Sequence, residues 1–146
     1  MKISAKGRYG LAAMLYLARH YDSGELVTIY TISEQMGISK IYLEQVFALL
    51  KRSKLVNSVK GSQGGYHLAK SPREITVYDI LSVIELTLME KAQSATHDKM
   101  PAVDRAVETY VYRPMDEKIH EFLSSVSLEY ILAQIDKESG GLMYYI

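Results

Sequence analysis

Residues 28–70 constrain the fold more than any other stretch. TIYTISEQM (28–36) places Ile29, Ile32 and Met36 on one helical face, and Gly37 is the C-terminal stop of that helix. Ser39 can cap a new helix directly afterwards. Its apolar stripe, Leu43, Val46, Phe47 and Leu50, recurs at i, i+3, i+4 and i+7. Two helices joined through Gly37-Ile38 make a helix-turn-helix. Residues 55–60 and 66–70 then alternate like strands on either side of GSQGG (61–65), which predicts a hairpin. Upstream, residues 4–21 carry Leu11, Ala12, Leu15, Tyr16 and Ala18 on several faces and predict a largely buried helix, stopped by Asp22-Ser23-Gly24. Three helices followed by a hairpin is the order of a winged helix-turn-helix, so the expected fold is mainly α with a small β-hairpin.

Beyond Ser71-Pro72 the chain returns to helix. Thr76 with Asp79 three residues on is a variant capping box, and Val77, Ile80, Leu81, Ile84 and Leu88 form the stripe behind it. EKAQSATHDKMP (90–101) is polar and predicts a loop. From about Tyr110 the apolar residues Tyr112, Met115, Ile119, Phe122 and Val126 step by 3, 4, 3 and 4, a two-heptad seam. Pro114 must lie in the first turn of that helix or kink it. A short final helix follows, capped by Ser127 and carrying Leu128, Ile131, Leu132 and Ile135. The expected organisation is a winged helix-turn-helix domain over 1–88, a linking or regulatory loop over 89–110, and a long C-terminal dimerisation helix with its tail over 111–146.

Charge divides the same way. The whole chain balances 17 Lys and Arg against 17 Asp and Glu. Residues 1–75 hold 11 Lys and Arg against 5 Asp and Glu, net +6, and residues 76–146 hold 6 against 12, net −6. A basic half beside an acidic half points to a polyanion-binding module joined to a part that stays off the polyanion. No apolar run approaches the roughly 20 residues of a membrane span. MKISAKGRYG contains no continuous apolar stretch, so the expected location is the cytoplasm.

Catalysis and metal binding find little support. The 146 residues include no cysteine, which excludes a thiol nucleophile and Cys-held zinc or iron–sulfur clusters. His20, His67, His97 and His120 form no HxxxH or HExxH pair. The glycine turn lacks the spacing of a nucleotide-phosphate loop. Asp116, Glu117 and Glu121 fit a solvated helix face better than an acid–base pair. The expectation is a non-enzyme without cofactor or metal.

Double-stranded DNA is the partner these residues fit. A recognition helix presents polar side chains of its first turns to the major groove, here Ser39, Lys40, Tyr42, Glu44 and Gln45. Gln can bond adenine bidentately and Glu can accept from cytosine N4. Lys6, Arg8, Lys51, Arg52, Lys54 and Lys60 are candidates for phosphate contacts, with a glycine tip at Gly64 that lets backbone approach DNA. For Glu44 the competing role is a contact inside its own helix. The seam either packs on the winged domain or pairs two chains into a homodimer that reads two half-sites.

MKISAKGRYGL (1–11) and GISKIYLEQVFALLKRSKLVNSVKGSQGGYHLAK (37–70) resemble the Rrf2 family of bacterial transcription regulators. Ile38-Ser39, Tyr42-Leu43-Glu44-Gln45, Leu55-Val56, Lys60-Gly61 and Gly64-Gly65-Tyr66-x-Leu68 carry the resemblance, which covers residues 1–88 well and the remainder loosely. It implies a dimer with the recognition helix in the major groove and the wing in the minor groove, and so assigns Ser39, Tyr42, Glu44 and Gln45 to the helix contacts and Lys60 to the wing. Most relatives carry Arg at the wing position; Lys keeps the charge but loses the planar fork. The three cysteines with which many relatives sense iron–sulfur status or nitric oxide are absent from residues 90–110. Within the family the chain is more similar to the cysteine-poor CymR type, which represses cysteine-metabolism genes in complex with O-acetylserine thiol-lyase (cysteine synthase). By that resemblance Tyr144, Tyr145 and Ile146, after Gly140-Gly141, look like a peptide that enters the thiol-lyase active site. The alternative is a tail packed on its own domain.

Overall fold

The computed structural model describes residues 2–140 except 92, 95, 97 and 98. His97 and the tail residues Tyr144, Tyr145 and Ile146 lie outside the described residues.

Helix α1 (Ala5–Arg19) starts at Ser4, whose hydroxyl accepts the Gly7 N–H at 3.1 Å. Helix α2 (Ile29–Met36) is capped by Thr28, which accepts the Thr31 N–H at 3.0 Å. Gly37 has φ of +64°, the left-handed conformation that a residue with a side chain adopts only at a cost, and it turns the chain into α3 (Lys40–Arg52). Leu43, Val46, Phe47 and Leu50 are fully buried, as their spacing predicts. Ser39 occupies the N-cap position of α3, but its side chain bonds no helical N–H and stays at the surface.

Strands β1 (Val56–Val59) and β2 (Gly65–Leu68) pair antiparallel, Val56 opposite Leu68 and Val59 opposite Gly65. The hairpin is fixed to the helices from two sides. The Tyr66 ring lies 4.6 Å from that of Phe47 on α3, and Leu68 is buried. Val27, just before α2, exchanges both backbone hydrogen bonds with Tyr66, at 2.9 and 2.7 Å. A single bridging residue carries no alternation, so nothing in the sequence signals this third strand-like contact.

Helix α4 (Val77–Ile84) carries the predicted capping box: Asp79 N–H donates to Thr76 Oγ1 at 3.1 Å and Thr76 N–H to Asp79 Oδ2 at 2.9 Å. A 3₁₀ turn, Leu86–Met89, leads away from it. Helix α5 (Pro101–Val107), a π-helical stretch (Glu108–Tyr112) and α6 (Arg113–Ser125) follow one another without a break. Together they make a helix roughly 37 Å long. It therefore begins well before the expected onset near Tyr110. The widened π stretch sits immediately before Pro114, whose ring and missing N–H obstruct ordinary bonding to the carbonyl four residues back.

Helix α7 (Leu128–Glu138), capped by Ser127, turns back onto the winged domain. Val77 N–H donates to the Val126 carbonyl at 2.8 Å, and Leu128 N–H to that of Ile75 at 3.0 Å. Leu128 is fully buried in the same core as Met14, Phe47 and Ile80. Arg19 of α1 pairs with Asp136 of α7 at 2.9 Å. A second small core joins Val77 and Leu81 of α4 to Leu123 of α6, with Ile119 and Val126 packed against it.

Candidate nucleic-acid interface

The stripe that buries α3 leaves its opposite face in solvent. Lys40, Tyr42, Glu44 and Gln45 are all exposed there, together with Ser39. Ile41 is also outward, 69 % exposed. It escaped prediction because apolar residues are assigned to cores by default, yet it lies off the i, i+3, i+4 stripe, and that is the signal that finds it. The Tyr42 ring packs against Tyr9 of α1 at 5.9 Å, which ties the exposed face of α3 to α1. Lys40 and Glu44 approach to 3.9 Å with both side chains more than half exposed. Such a pair is worth only about 0.3–0.5 kcal/mol, so Glu44 can exchange it for a base contact at little cost.

At the wing, Lys60 is exposed at the start of the tip. Gly64 N–H donates to the Gly61 carbonyl at 3.0 Å, and a Cβ on Gly64 would stand 2.0 Å from the Val59 carbonyl oxygen. Gly64 thus shapes the tip by being bare. His67 places Nδ1 2.9 Å from the Leu68 carbonyl oxygen, a local hydrogen bond that accounts for it without a metal. Lys6, Arg8, Lys51, Arg52, Lys54 and Lys60 are all exposed, and none forms an ion pair among the described residues. Unpaired cations around a polar helix face and a bare loop tip are what a phosphate backbone with readable base edges requires.

The seam residues separate into two sets. Met115 and Phe122 point to solvent, 50 % and 66 % exposed, and Tyr110 and Val111 of the π stretch are exposed as well. Tyr112 is half-buried. Ile119 and Val126, in contrast, pack on the chain's own α4 side, beside Leu123. Val126 follows the end of α6 in an extended conformation, so helical periodicity no longer governs where it points. Asp116, Glu117 and Glu121 are exposed, and Lys118 donates to Glu121 at 3.0 Å. That hydrogen bond and the neighbouring charge raise the Lys118 pKa. This is a solvated polar face, with nothing to desolvate a catalytic carboxylate.

The chain matches the Rrf2 model, described as an iron-dependent transcriptional regulator, over residues 3–134. The chain belongs to the Rrf2 family. Among Rrf2 relatives, the regulator IscR of Photorhabdus laumondii is 37 % identical over 129 residues, covering 88 % of this chain and 77 % of that protein. The regulator CymR of Bacillus subtilis is 34 % identical over 146 residues, the whole of both chains. A solved structure titled "The Structure of CymR (YrzC) the Global Cysteine Regulator of B. subtilis" superposes with a TM-score of 0.75 at 31 % identity, covering 92 % of this chain and 98 % of that one. The winged helix-turn-helix fold and a DNA-binding regulatory function thus stand together for this Rrf2 protein.

Among the described residues the iron in the family's description finds no donor set. The sequence supplies no thiolate, and among the described residues no three His, Cys, Asp or Glu side chains gather closely enough to hold a metal ion. Among those residues, too, no helix is long and apolar enough to cross a membrane.

Proposed function

We propose that this Rrf2 regulator is a homodimeric repressor acting on palindromic operators of cysteine and sulfur metabolism, with O-acetylserine thiol-lyase as co-regulator. The observation that carries the DNA reading is the exposed face of α3, Ser39 to Gln45, flanked by unpaired cations on α1, α3 and the wing. Support for the dimer comes from the exposed apolar side chains of Tyr110, Val111, Met115 and Phe122. Support for the regulon comes from the end-to-end match to a regulator whose structure is titled a global cysteine regulator. The thiol-lyase rests on Tyr144, Tyr145 and Ile146 alone.

In this scheme Glu44, Gln45 and Ile41 read base edges, Ile41 by apolar contact with a thymine methyl. Lys6, Arg8, Lys51 and Lys60 hold phosphates. Glu44→Ala is expected to relax base preference at one position, a change of about 1–3 kcal/mol in discrimination, with a smaller loss of total affinity. Lys60→Ala is expected to weaken all duplexes alike and to lower the salt slope by about 2, roughly 0.9 for each Lys60 of the dimer. Quantitative binding to a set of single-base operator variants at several salt concentrations checks both; equal losses on every sequence for Glu44→Ala remove it from the readout.

A second reading is favoured by one observation. A groove of about 440 Å³ runs beside the π stretch, lined among others by Gln93, Ser94, Glu108, Tyr112 and Arg113. In that reading a small ligand sets DNA affinity and the tail is structural. Deleting Ile146 separates the two: capture of purified thiol-lyase is lost if the tail is the docking peptide and unchanged if the ligand reading holds.

A further inference from the structure

Glu85 is the one charged residue buried among the described residues, 8 % exposed, and DNA contact does not account for it. It stands at the end of α4 and reaches across to the first turn of α1. Its Oε1 accepts the Ser4 N–H at 2.8 Å and also the Ser4 hydroxyl hydrogen. That same hydroxyl accepts the Gly7 N–H, so one carboxyl orders the entire N-cap of α1. The arrangement uses the positive end of the helix, where an acidic group is favoured.

The space around it is specific. A Cβ at Gly7 would stand 2.2 Å from Glu85 Oε1 and 2.8 Å from Ile3 Cγ2, so a bare residue 7 is what lets the carboxyl in. Ile3 packs on the small core of Val77, Leu81 and Leu123. Burying a carboxyl costs several kcal/mol unless hydrogen bonds offset it, and packing alone would be served better by an apolar residue. What the carboxyl adds is direction: two hydrogen bonds to one residue set the position of the first turn of α1. That turn carries Lys6, with Arg8 just beyond, both exposed and without an ion pair among the described residues. Tyr9, one residue on, packs against Tyr42 of α3.

Given the DNA-binding reading above, we propose that Glu85 is a positioning residue for DNA binding, which holds the N-terminal turn of α1 so that Lys6 and Arg8 meet the phosphate backbone in register with α3. It touches no DNA itself. It is also the last residue before the 3₁₀ turn that leaves for the long helix, so a displacement of that turn reaches α1 through two hydrogen bonds.

The test measures binding of the full chain to a duplex selected from a random pool, over a salt series. For Glu85→Ala the salt slope should fall by about 2–4, since each phosphate contact contributes roughly 0.9 and a dimer brings Lys6 and Arg8 twice, while the order of preference among base variants is unchanged. Glu85→Gln keeps the acceptor oxygen and should restore most of the slope. Lys6→Ala should lower the slope in the wild-type background and not in Glu85→Ala. Should Glu85→Ala fail to fold, Ser4→Ala and Gly7→Ala disturb the same contact from the other side and should show the reduced slope. A folded Glu85→Ala protein with the wild-type slope overturns the proposal, as does one in which Lys6→Ala still lowers the slope. If the wild-type chain binds no duplex at any salt concentration, it is the DNA-binding reading that fails, whatever Glu85 does.

Discussion

Replacing Phe122 by Glu is expected to leave a folded monomer with little operator affinity. Phe122 is 66 % exposed on α6 and Met115 is 50 % exposed on the same side, and neither contributes to either core of the chain. The substitution should therefore move the thermal midpoint little. In the dimer each chain would lose one buried aromatic side chain, worth about 1.5–3 kcal/mol. Two per dimer give about 3–6 kcal/mol, or two to four orders of magnitude in the dimer dissociation constant. Operator affinity should fall by about two orders of magnitude or more as one half-site is released. Sedimentation equilibrium beside operator binding checks this; a Phe122→Glu protein that remains dimeric at the wild-type dissociation constant would remove the outward face of α6 from the interface.

The second large effect concerns folding. Leu128→Ala is expected to destabilise the protein by about 2–5 kcal/mol, a fall in Tm of roughly 4–20 °C for a chain of this size. Leu128 sits at the start of α7 yet is fully buried among residues of α1, α3 and α4. Tyr130, two residues on and 55 % exposed, is the control: Tyr130→Ala should change stability by no more than about 0.5 kcal/mol. Because α7 shares the core of the DNA-binding helices, Leu128→Ala should also lower the fraction competent to bind DNA near Tm. Calorimetry of the two variants decides the matter; a loss under about 1 kcal/mol for Leu128→Ala would mean that α7 is not part of that core.

What the sequence made legible was local. The caps at Thr76 and Ser127, the stop at Gly37 and the stripe of α3 are each encoded within four to eight residues and appear where the spacing puts them, whereas Ser39, expected to cap α3, makes no capping bond. The exposed polar set on α3 follows, because it is what the buried stripe leaves over. What escaped depends on residues far apart in sequence. Val27 pairs with Tyr66, and Glu85 bonds Ser4 across 81 positions. Ile119 stands between the outward Met115–Phe122 line and the inward Leu123 on the helix, so a heptad count cannot say which face owns it. Polar composition and Pro114 concealed the early start of the long helix, since the π stretch that accommodates the proline has no sequence signature of its own. Ile41 was hidden by its residue type.

Selection of bound duplexes from a random pool, by the full chain at moderate salt, is the direct test of a dimer that reads a palindromic operator. A homodimer that reads two half-sites should enrich an inverted repeat whose half-site centres lie one helical turn, about 10–10.5 base pairs, or a multiple of it apart, with enrichment that weakens steeply as salt rises. A single unpaired half-site, or no enriched sequence at all, would contradict it.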